Sequence, residues 1–259
     1  MNIGISSACF FPDIPEKAVD FFVENKIGYA EFFLNCYSEF SIDFIKKLKK
    51  NLDTVPTEIF ALHPFSSGFE NRLFFSEYRR LFSDGLEIYK RFFEAAAYMN
   101  ADLFILHGAD RYSSISDNEY FERFQEIDRT AASFGIRLAQ ENVANFKSRS
   151  VDFIKNMKNQ LGDVVFTLDI KQCRRASQDV FDMAKAMGNS LRHIHLSDSD
   201  ASHDCLPPGT GSFDFGKFFE LIDSICDKTP SAVIELYKKN YSSPSQLVSS
   251  LNYLRSWSL

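Results

Sequence analysis

The sequence lacks the features expected of a membrane, secreted or nucleic-acid-binding protein. No apolar stretch approaches the about 18 uninterrupted residues that a membrane-spanning helix needs. The N-terminal segment has no basic region and contains Pro12 and Asp13, which is not typical of a signal peptide. The net charge is −6 and no long run of Lys or Arg occurs. We therefore expect neither a membrane nor a nucleic acid as a partner.

Cysteine and glycine patterns exclude two further classes of protein. The five cysteines are scattered, odd in number and free of CxxC spacing, so we expect reduced thiols and a cytoplasmic location. No glycine-rich loop of the GxGxxG type follows the first strand segment. This absence disfavours an open, nucleotide-binding sheet.

Short β-branched or aromatic runs alternate with amphipathic helical segments along the chain. This alternation indicates parallel strands joined by helices, and the 259 residues are close to the roughly 250 of an eight-stranded barrel. We predict one α/β domain over residues 1–259, a single (β/α)8 TIM barrel, and the alternative is an open sheet. Most of the 28 Phe residues are expected in the core. The predicted strands are Asn2–Phe10, Tyr29–Phe33, Thr57–Phe65, Leu103–Gly108, Arg137–Asn142, Val164–Asp169, Leu191–Asp198 and Ala232–Tyr237. The predicted helices are Glu16–Glu24, Ile42–Asn51, Glu77–Met99, Asn118–Phe134, Val151–Asn159, Ser177–Met187, Phe215–Cys226 and Pro244–Trp257.

Six consecutive predicted strands, the third to the eighth, each carry a His or a carboxylate towards the carboxyl end. Active sites of such barrels lie at that end, and buried charge is costly unless it is paired or bound to a cation. Imidazole nitrogen and carboxylate oxygen together suit Mn²⁺, Mg²⁺, Co²⁺ or Zn²⁺. The pattern therefore predicts a divalent-metal site. These residues are His63, His107, Glu141, Asp169, His195 and Glu235.

In this order and spacing, several short motifs resemble the xylose-isomerase-like barrels, which include sugar and sugar-phosphate isomerases, ketose 3-epimerases and endonuclease IV. The resemblance covers essentially the whole chain. It rests on His63, His107-Gly108, Glu141-Asn142, Asp169, His193–Asp198, Pro208–Phe215 and Glu235.

The resemblance implies one divalent metal ion held by Glu141, Asp169, His195 and Glu235. It also implies that Glu141 and Glu235 act as acid and base on opposite faces of a sugar or sugar phosphate. A metal bound to the carbonyl would acidify the adjacent C–H and stabilise an ene-diolate. Proton return on the other face gives an epimer, and return at the neighbouring carbon gives an aldose–ketose isomer.

Five further residues are predicted to bind the substrate or to support the metal ligands. The two histidines are expected to bind substrate or support the ligands, and the alternatives are that they complete a second metal position or fill the rim. The asparagine would orient Glu141 or substrate, and the second-strand glutamate would reach a hydroxyl or form a salt bridge. These residues are His63, His107, Asn142, Gln172 and Glu31. His193, one layer deeper than His195, is expected to be a core histidine.

The chain departs from the family pattern at several positions. The usual Asp-x-x-His becomes Asp169-Ile-Lys-Gln172, and glutamine is a poor metal ligand that can still hydrogen-bond a hydroxyl. The Arg that ketose epimerases place six residues after the metal histidine is Ala201 here. Candidate replacements for that arginine are Arg111, Lys171 and Arg174. The extra loop Ser199–Ser212 could cover the site. Its glycine turn either binds an anion or simply precedes a helix.

These departures leave alternatives to the leading hypothesis of a metal-dependent isomerase or epimerase. Endonuclease IV needs an Asp-x-His pair where this chain has His203-Asp204, so a DNA-repair nuclease is disfavoured. A metal-dependent dehydratase or hydrolase of the same fold and a sugar-binding barrel without catalysis stay open. So do the identity of the sugar and the association of the chain into a homo-oligomer.

Overall fold

Short runs of aliphatic and aromatic residues form the strands of a closed barrel. The structure, a computed structural model, describes residues 1–257, apart from the side chain of residue 67. Within that range eight parallel strands pair in sequential order, and the eighth closes on the first. They are β1 (Ile3–Ser6), β2 (Tyr29–Leu34), β3 (Glu58–Pro64), β4 (Leu103–Leu106), β5 (Arg137–Glu141), β6 (Val165–Asp169), β7 (Leu191–Leu196) and β8 (Ser231–Ile234). The prediction of a single (β/α)8 TIM barrel is confirmed, and the last two residues of the predicted domain lie outside the described range.

Helices connect successive strands on the outside of the barrel. Several begin at a Ser or Asp whose side chain accepts a backbone N–H, as at Ser116 and Asp179. They are α1 (Pro15–Glu24), α2 (Ile42–Leu52), α3 (Ser67–Phe74), α4 (Arg79–Tyr98), α5 (Asp117–Ala132), α6 (Val151–Leu161), α7 (Ile170–Arg175), α8 (Val180–Met187), α9 (Phe215–Ile225) and α10 (Pro244–Arg255). In the part of the chain that the structure describes, no helix is both long enough and apolar enough to span a bilayer.

The largest differences from the sequence prediction are two additional helices and the end of the first strand. Helices α3 and α7 were not predicted, because each is short and lies in a loop at the carboxyl end of a strand. The first strand was predicted to reach Phe10 but ends at Ser6. The Ser6 hydroxyl accepts the Ala8 N–H at 3.2 Å and starts a 3₁₀ turn over Ser7–Phe10.

The buried apolar residues form two separate clusters, one on each side of the barrel sheet. The larger core lies between strands and helices and contains most of the buried Phe residues. A small cluster, Ala61, Leu103, Ile105, Ala139 and Val165, lies apart from it. Because side chains alternate across a strand, a residue two positions further on points the same way. The interior of the barrel therefore receives the polar residues that follow this cluster at each carboxyl end.

Candidate functional site

Strand alternation brings the predicted metal ligands to one point at the carboxyl rim of the barrel. Glu141 follows Ala139 by two residues on β5, and Asp169 lies on the same side of β6 as Val165. His195 pairs with Val233 across β7 and β8, and Glu235 follows Val233 by two residues. All four are buried, so these strand ends converge within the barrel rather than on its surface.

The four convergent side chains have the spacing that one small cation requires. One donor atom from each of Glu141, Asp169, His195 and Glu235 lies within 4.8 Å of the others. The imidazole Nδ1 lies 3.2 Å from Glu141 Oε1, 3.6 Å from Asp169 Oδ2 and 3.3 Å from Glu235 Oε2. Ligands about 2.1 Å from a tetrahedral ion would be about 3.4 Å apart. We call these four residues the quartet, and they are able to hold a metal ion.

Three carboxylates face one buried imidazole nitrogen at this point. Burial lowers the pKa of His195, but Glu235 and Glu31 outweigh that effect and hold the pKa well above its usual value. Burial raises the pKa of Glu141, and the adjacent His107 reverses the shift and holds this pKa well below its usual value. Positive charge is therefore favoured where the carboxylates meet, which is the condition for holding a divalent cation.

His63 and His107 form a pair beside the quartet. Their Nε2 atoms lie 2.9 Å apart, and His107 Nε2 lies 2.7 Å from Glu141 Oε2. The Nδ1 atom of His63 lies 3.1 Å from the Pro64 carbonyl oxygen, and its ring stacks on Phe33. Together with Glu141 this pair could also hold a metal ion. Both histidines line the cavity above the quartet.

Glu31 lies below the quartet rather than in the cavity. It is fully buried, and its Oε1 accepts the Ser6 hydroxyl at 2.9 Å while its Oε2 lies 2.9 Å from His195 Nε2. The same Oε2 lies 3.2 Å from the deeper His193, whose Nδ1 lies 2.7 Å from the Ser231 hydroxyl. His193 is buried, as expected of a core histidine. Glu31 thus faces the ring nitrogen of His195 that points away from the other three ligands.

Asn142 and Gln172 are tied to the backbone of neighbouring loops. Asn142 Oδ1 accepts the Asp169 N–H at 2.7 Å, and Nδ2 donates to the Asp169 carbonyl at 3.1 Å. These bonds join the ends of β5 and β6 and position Asp169. Gln172 Oε1 accepts the Ala144 N–H at 3.1 Å, and its side chain also lines the cavity.

Lys171 is the charged residue at this site to which the sequence analysis gave no role at the metal position. Its Nζ donates to Asp169 Oδ2 and to Glu235 Oε2, and the whole residue is only 3% exposed. The two carboxylates raise the pKa of Lys171 well above its usual value against the opposing effect of burial. The only hint in the sequence is its position two residues after Asp169, in the loop that leaves a rim strand.

The quartet opens into a cavity of about 380 Å³ with a partly aromatic wall. Phe11 and Tyr237 are exposed at its edge, and Phe33 and Phe65 are partly buried. The sequence predicts most Phe residues in the core, because a Phe that lines a cavity looks the same in the sequence as one in the core. The lining residues are Ala8, Phe11, Phe33, Asn35, His63, Phe65, His107, Glu141, Lys171, Gln172, Glu235, Leu236 and Tyr237.

The loop Ser199–Ser212 contributes no residue to that lining among the residues described. The buried Asp198 carboxylate organises it instead, because Oδ2 accepts the N–H groups of Gly209 and Gly211 at 3.0 and 2.9 Å. Oδ1 accepts the Phe213 N–H at 2.9 Å. The glycine N–H groups are thus already paired within the protein, which fits the ordinary turn rather than the anion site.

A second buried carboxylate, Glu70 of α3, positions the end of β4. Its Oε2 accepts the N–H groups of His107 and Gly108 at 2.8 and 2.7 Å. Its Oε1 accepts the Tyr89 hydroxyl at 3.0 Å. Sequence analysis missed Glu70, because α3 was not predicted and nothing in the sequence relates it to a strand thirty-odd residues later.

One sequence relative and one solved structure match nearly the whole length of the chain. An uncharacterized protein of Methanocaldococcus jannaschii is 23% identical over 257 residues, covering 93% of this chain and 84% of the relative. A D-tagatose 3-epimerase-like protein superposes with a TM-score of 0.80 at 20% identity, covering 99% of this chain and 97% of the other.

Two further solved structures bear on sugars and metals. D-psicose 3-epimerase with D-tagatose from Clostridium cellulolyticum H10 matches with a TM-score of 0.76 at 15% identity, covering 99% of each chain. IOLI protein with a bound zinc atom matches with a TM-score of 0.78 at 14% identity, covering 98% of this chain and 96% of the other. At these identities the likeness establishes the fold and not the activity.

The family assignment rests on the sequence itself. The family model for the xylose isomerase-like TIM barrel matches residues 17–257. That range begins in α1 and contains seven of the eight strands and the whole quartet. The chain belongs to the xylose isomerase-like TIM barrel family.

Proposed function

We propose that the chain is a sugar isomerase or epimerase that depends on one divalent metal ion. Glu141, Asp169, His195 and Glu235 would hold the ion, which would be Mn²⁺, Mg²⁺, Co²⁺ or Zn²⁺. Glu141 and Glu235 would move the proton. Sugar epimerases among the structures of the same fold support the reaction class, and the zinc-bound neighbour supports a metal.

One observation carries the proposal: two buried carboxylates from distant strands reach the same cavity. Glu141 ends β5 and Glu235 follows β8, with β6 and β7 between them in the closed barrel. Both line the cavity, and both lie within hydrogen-bonding distance of the same His195 nitrogen. A substrate above the quartet would therefore have a carboxylate on each side.

This arrangement suits proton transfer next to a carbonyl group. A divalent cation, when bound, polarises a sugar carbonyl and the hydroxyl beside it and so acidifies the neighbouring C–H bond. One glutamate takes the proton from carbon while the C–H electron pair moves into an ene-diolate. The opposite glutamate returns a proton to the other face of that carbon, which gives the epimer. Delivery to the adjacent carbon would give an aldose–ketose isomer instead.

The lining of the cavity favours a neutral sugar over a sugar phosphate. Phosphate recognition generally uses Arg, Lys or free backbone N–H groups. Lys171 is the one Lys or Arg among the lining residues that the structure describes, and it is paired with Asp169 and Glu235. The aromatic wall is suited to the apolar face of a sugar ring.

We assign the remaining predicted residues to binding and positioning. His63, His107 and Gln172 line the cavity and would bind substrate hydroxyls. Asn142 would orient Asp169 through its backbone. Glu31 would fix the ring of His195 from below, which corresponds to the salt bridge rather than to the substrate contact among the two predicted uses.

Solvent isotope exchange tests the proposal directly. The protein is loaded with Mn²⁺ and incubated in ²H₂O with D-fructose, D-psicose or D-tagatose, and NMR follows deuterium entering the carbon beside the carbonyl. We expect exchange in the wild type and a loss of about 10²–10⁴-fold in Glu141→Gln and Glu235→Gln. Glu220→Gln, an exposed carboxylate on α9, is the matched control and should keep the wild-type rate.

Two results would count against the proposal. Exchange that persists in both glutamine variants would remove the glutamates from proton transfer. Loss of water from the sugar, without deuterium in the recovered substrate, would favour a dehydratase of the same fold.

A further inference from the structure

Lys171 places an ammonium group against two carboxylates of the quartet, Asp169 and Glu235. The residue follows Asp169 by two positions and lies in the first turn of α7. Its side chain turns back into the barrel, and its Nζ contacts one oxygen each of Asp169 and Glu235. A fully buried ammonium is costly unless it is paired, and here two buried carboxylates pair with it.

The oxygens that Lys171 contacts are those that a metal ion would need. Asp169 Oδ2 and Glu235 Oε2 are also the oxygens that face His195 Nδ1, at 3.6 and 3.3 Å. The ammonium therefore lies against the same two ligand atoms on which the metal site depends. A divalent ion bound to these oxygens would stand within a few ångström of Nζ, and two such charges repel strongly in a buried site.

The cavity provides a place to which the ammonium can move. Lys171 and Tyr237 both line it, and Nζ lies 6.0 Å from the centre of the Tyr237 ring. The lysine stem is flexible, and an aromatic face attracts a cation at this distance. Moving off the carboxylates would bring Nζ towards the space above the quartet, where a substrate oxygen could accept its hydrogen bond.

We propose that Lys171 is a tethered cation that occupies the metal position of the quartet, so that a divalent ion binds only by displacing it into the substrate cavity. This inference rests on the proposed function, because it assigns the metal to the same four residues. Competition from the Lys171 ammonium would weaken metal binding and allow the ion to exchange with solution. It also couples metal binding to the arrival of an ammonium among the substrate-facing groups His63, His107 and Gln172.

Mn²⁺ titration of the whole chain tests the inference without any substrate. Electron paramagnetic resonance of free Mn²⁺ gives the dissociation constant for the wild type, Lys171→Met and Lys171→Gln. We expect both variants to bind Mn²⁺ at least tenfold more tightly than the wild type. Lys147→Met is the matched control, since Lys147 is a partly buried lysine that pairs with Asp117, and it should stay within twofold.

If a Lys171 variant fails to fold without metal, it is purified with Mn²⁺ and the rate at which it releases Mn²⁺ is measured. A chelator is added, and the rate of Mn²⁺ loss should be at least tenfold slower than in the wild type. Equal or weaker binding in both variants, or equal release rates, would overturn the inference.

The outcomes separate this inference from the proposed function. Glu141-dependent Mn²⁺ binding that is the same with and without Lys171 overturns the inference alone. Mn²⁺ binding by the Lys171 variants but not by the wild type supports the inference and contradicts a metal-dependent activity of the natural chain. No binding by any of these proteins, even at millimolar Mn²⁺, overturns both.

Discussion

The fully buried Glu70 carboxylate connects α3 to the end of β4, and its removal should destabilise the whole barrel. Glu70 Oε2 accepts two backbone N–H groups, from His107 and Gly108, and Oε1 accepts the Tyr89 hydroxyl. In Glu70→Ala both N–H groups lose their partner inside the protein. Hydrogen bonds to a charged group contribute about 1.5–3 kcal/mol each, so the free energy of unfolding should fall by about 3–6 kcal/mol.

Replacement by glutamine should cost much less. The amide oxygen can accept both N–H groups, and the amide nitrogen can donate to the Tyr89 hydroxyl, which accepts as readily as it donates. Only the charge assistance is lost, so Glu70→Gln should lower the free energy of unfolding by about 1–2 kcal/mol. Comparison of the two variants separates the hydrogen bonds from the charge.

Urea denaturation followed by circular dichroism measures these changes. Glu77→Gln is the control, because Glu77 is an exposed carboxylate in the same region whose contact with Ser114 is 3.3 Å long, and it should stay within about 0.5 kcal/mol of the wild type. A loss below about 1 kcal/mol in Glu70→Ala would refute the argument that these N–H groups depend on Glu70. In that case water or a local shift of β4 would satisfy them.

Two further predictions follow from burial and from a close backbone approach. Burial raises the pKa of the Cys9 thiol to about 12, whereas Cys36 is exposed. Iodoacetamide at pH 8 should therefore modify Cys36 at least a hundredfold faster than Cys9. Peptide mass spectrometry gives both rates, and equal rates would contradict the packing of Cys9. A Cβ on Gly4 would lie 2.0 Å from the Tyr29 carbonyl oxygen, whereas one on Gly28 would meet nothing within 4 Å. Gly4→Ala should therefore lose about 1–3 kcal/mol of unfolding free energy or more in urea, and an equal effect of Gly28→Ala would contradict the close contact.

The quartet was predictable because its position depends on strand periodicity. A residue at the carboxyl end of a barrel strand lies at the rim, and a strand side chain points inwards or outwards with a period of two. Asp169 and Glu141 needed no further information to be placed together. The resemblance of the sequence to a known family then suggested which four of the six polar rim residues would be the metal ligands.

Loop residues and side chains with several rotatable bonds were not predictable in the same way. Lys171 was considered as a sugar contact, but only the folded chain shows that its ammonium lies between Asp169 and Glu235. Glu31 was left open between a substrate hydroxyl and a salt bridge, and the register of β2 against β1 places it beside Ser6, where it pairs with His193 and His195 below the cavity. The sequence left the turn at Gly209 open between an anion site and an ordinary turn. The Asp198 carboxylate accepts its N–H group, which favours the ordinary turn.

The sequence by itself determined the barrel, its family and the rim residues, because alternation of strands with helices and the spacing of strand ends are local properties of the chain. Only the tertiary structure decided which charges meet. Lys171 and Glu235 are far apart in sequence and on different strand ends, and their contact depends on closure of the barrel and on one rotamer of a flexible side chain. Such long-range pairing leaves no periodic signal in a single sequence.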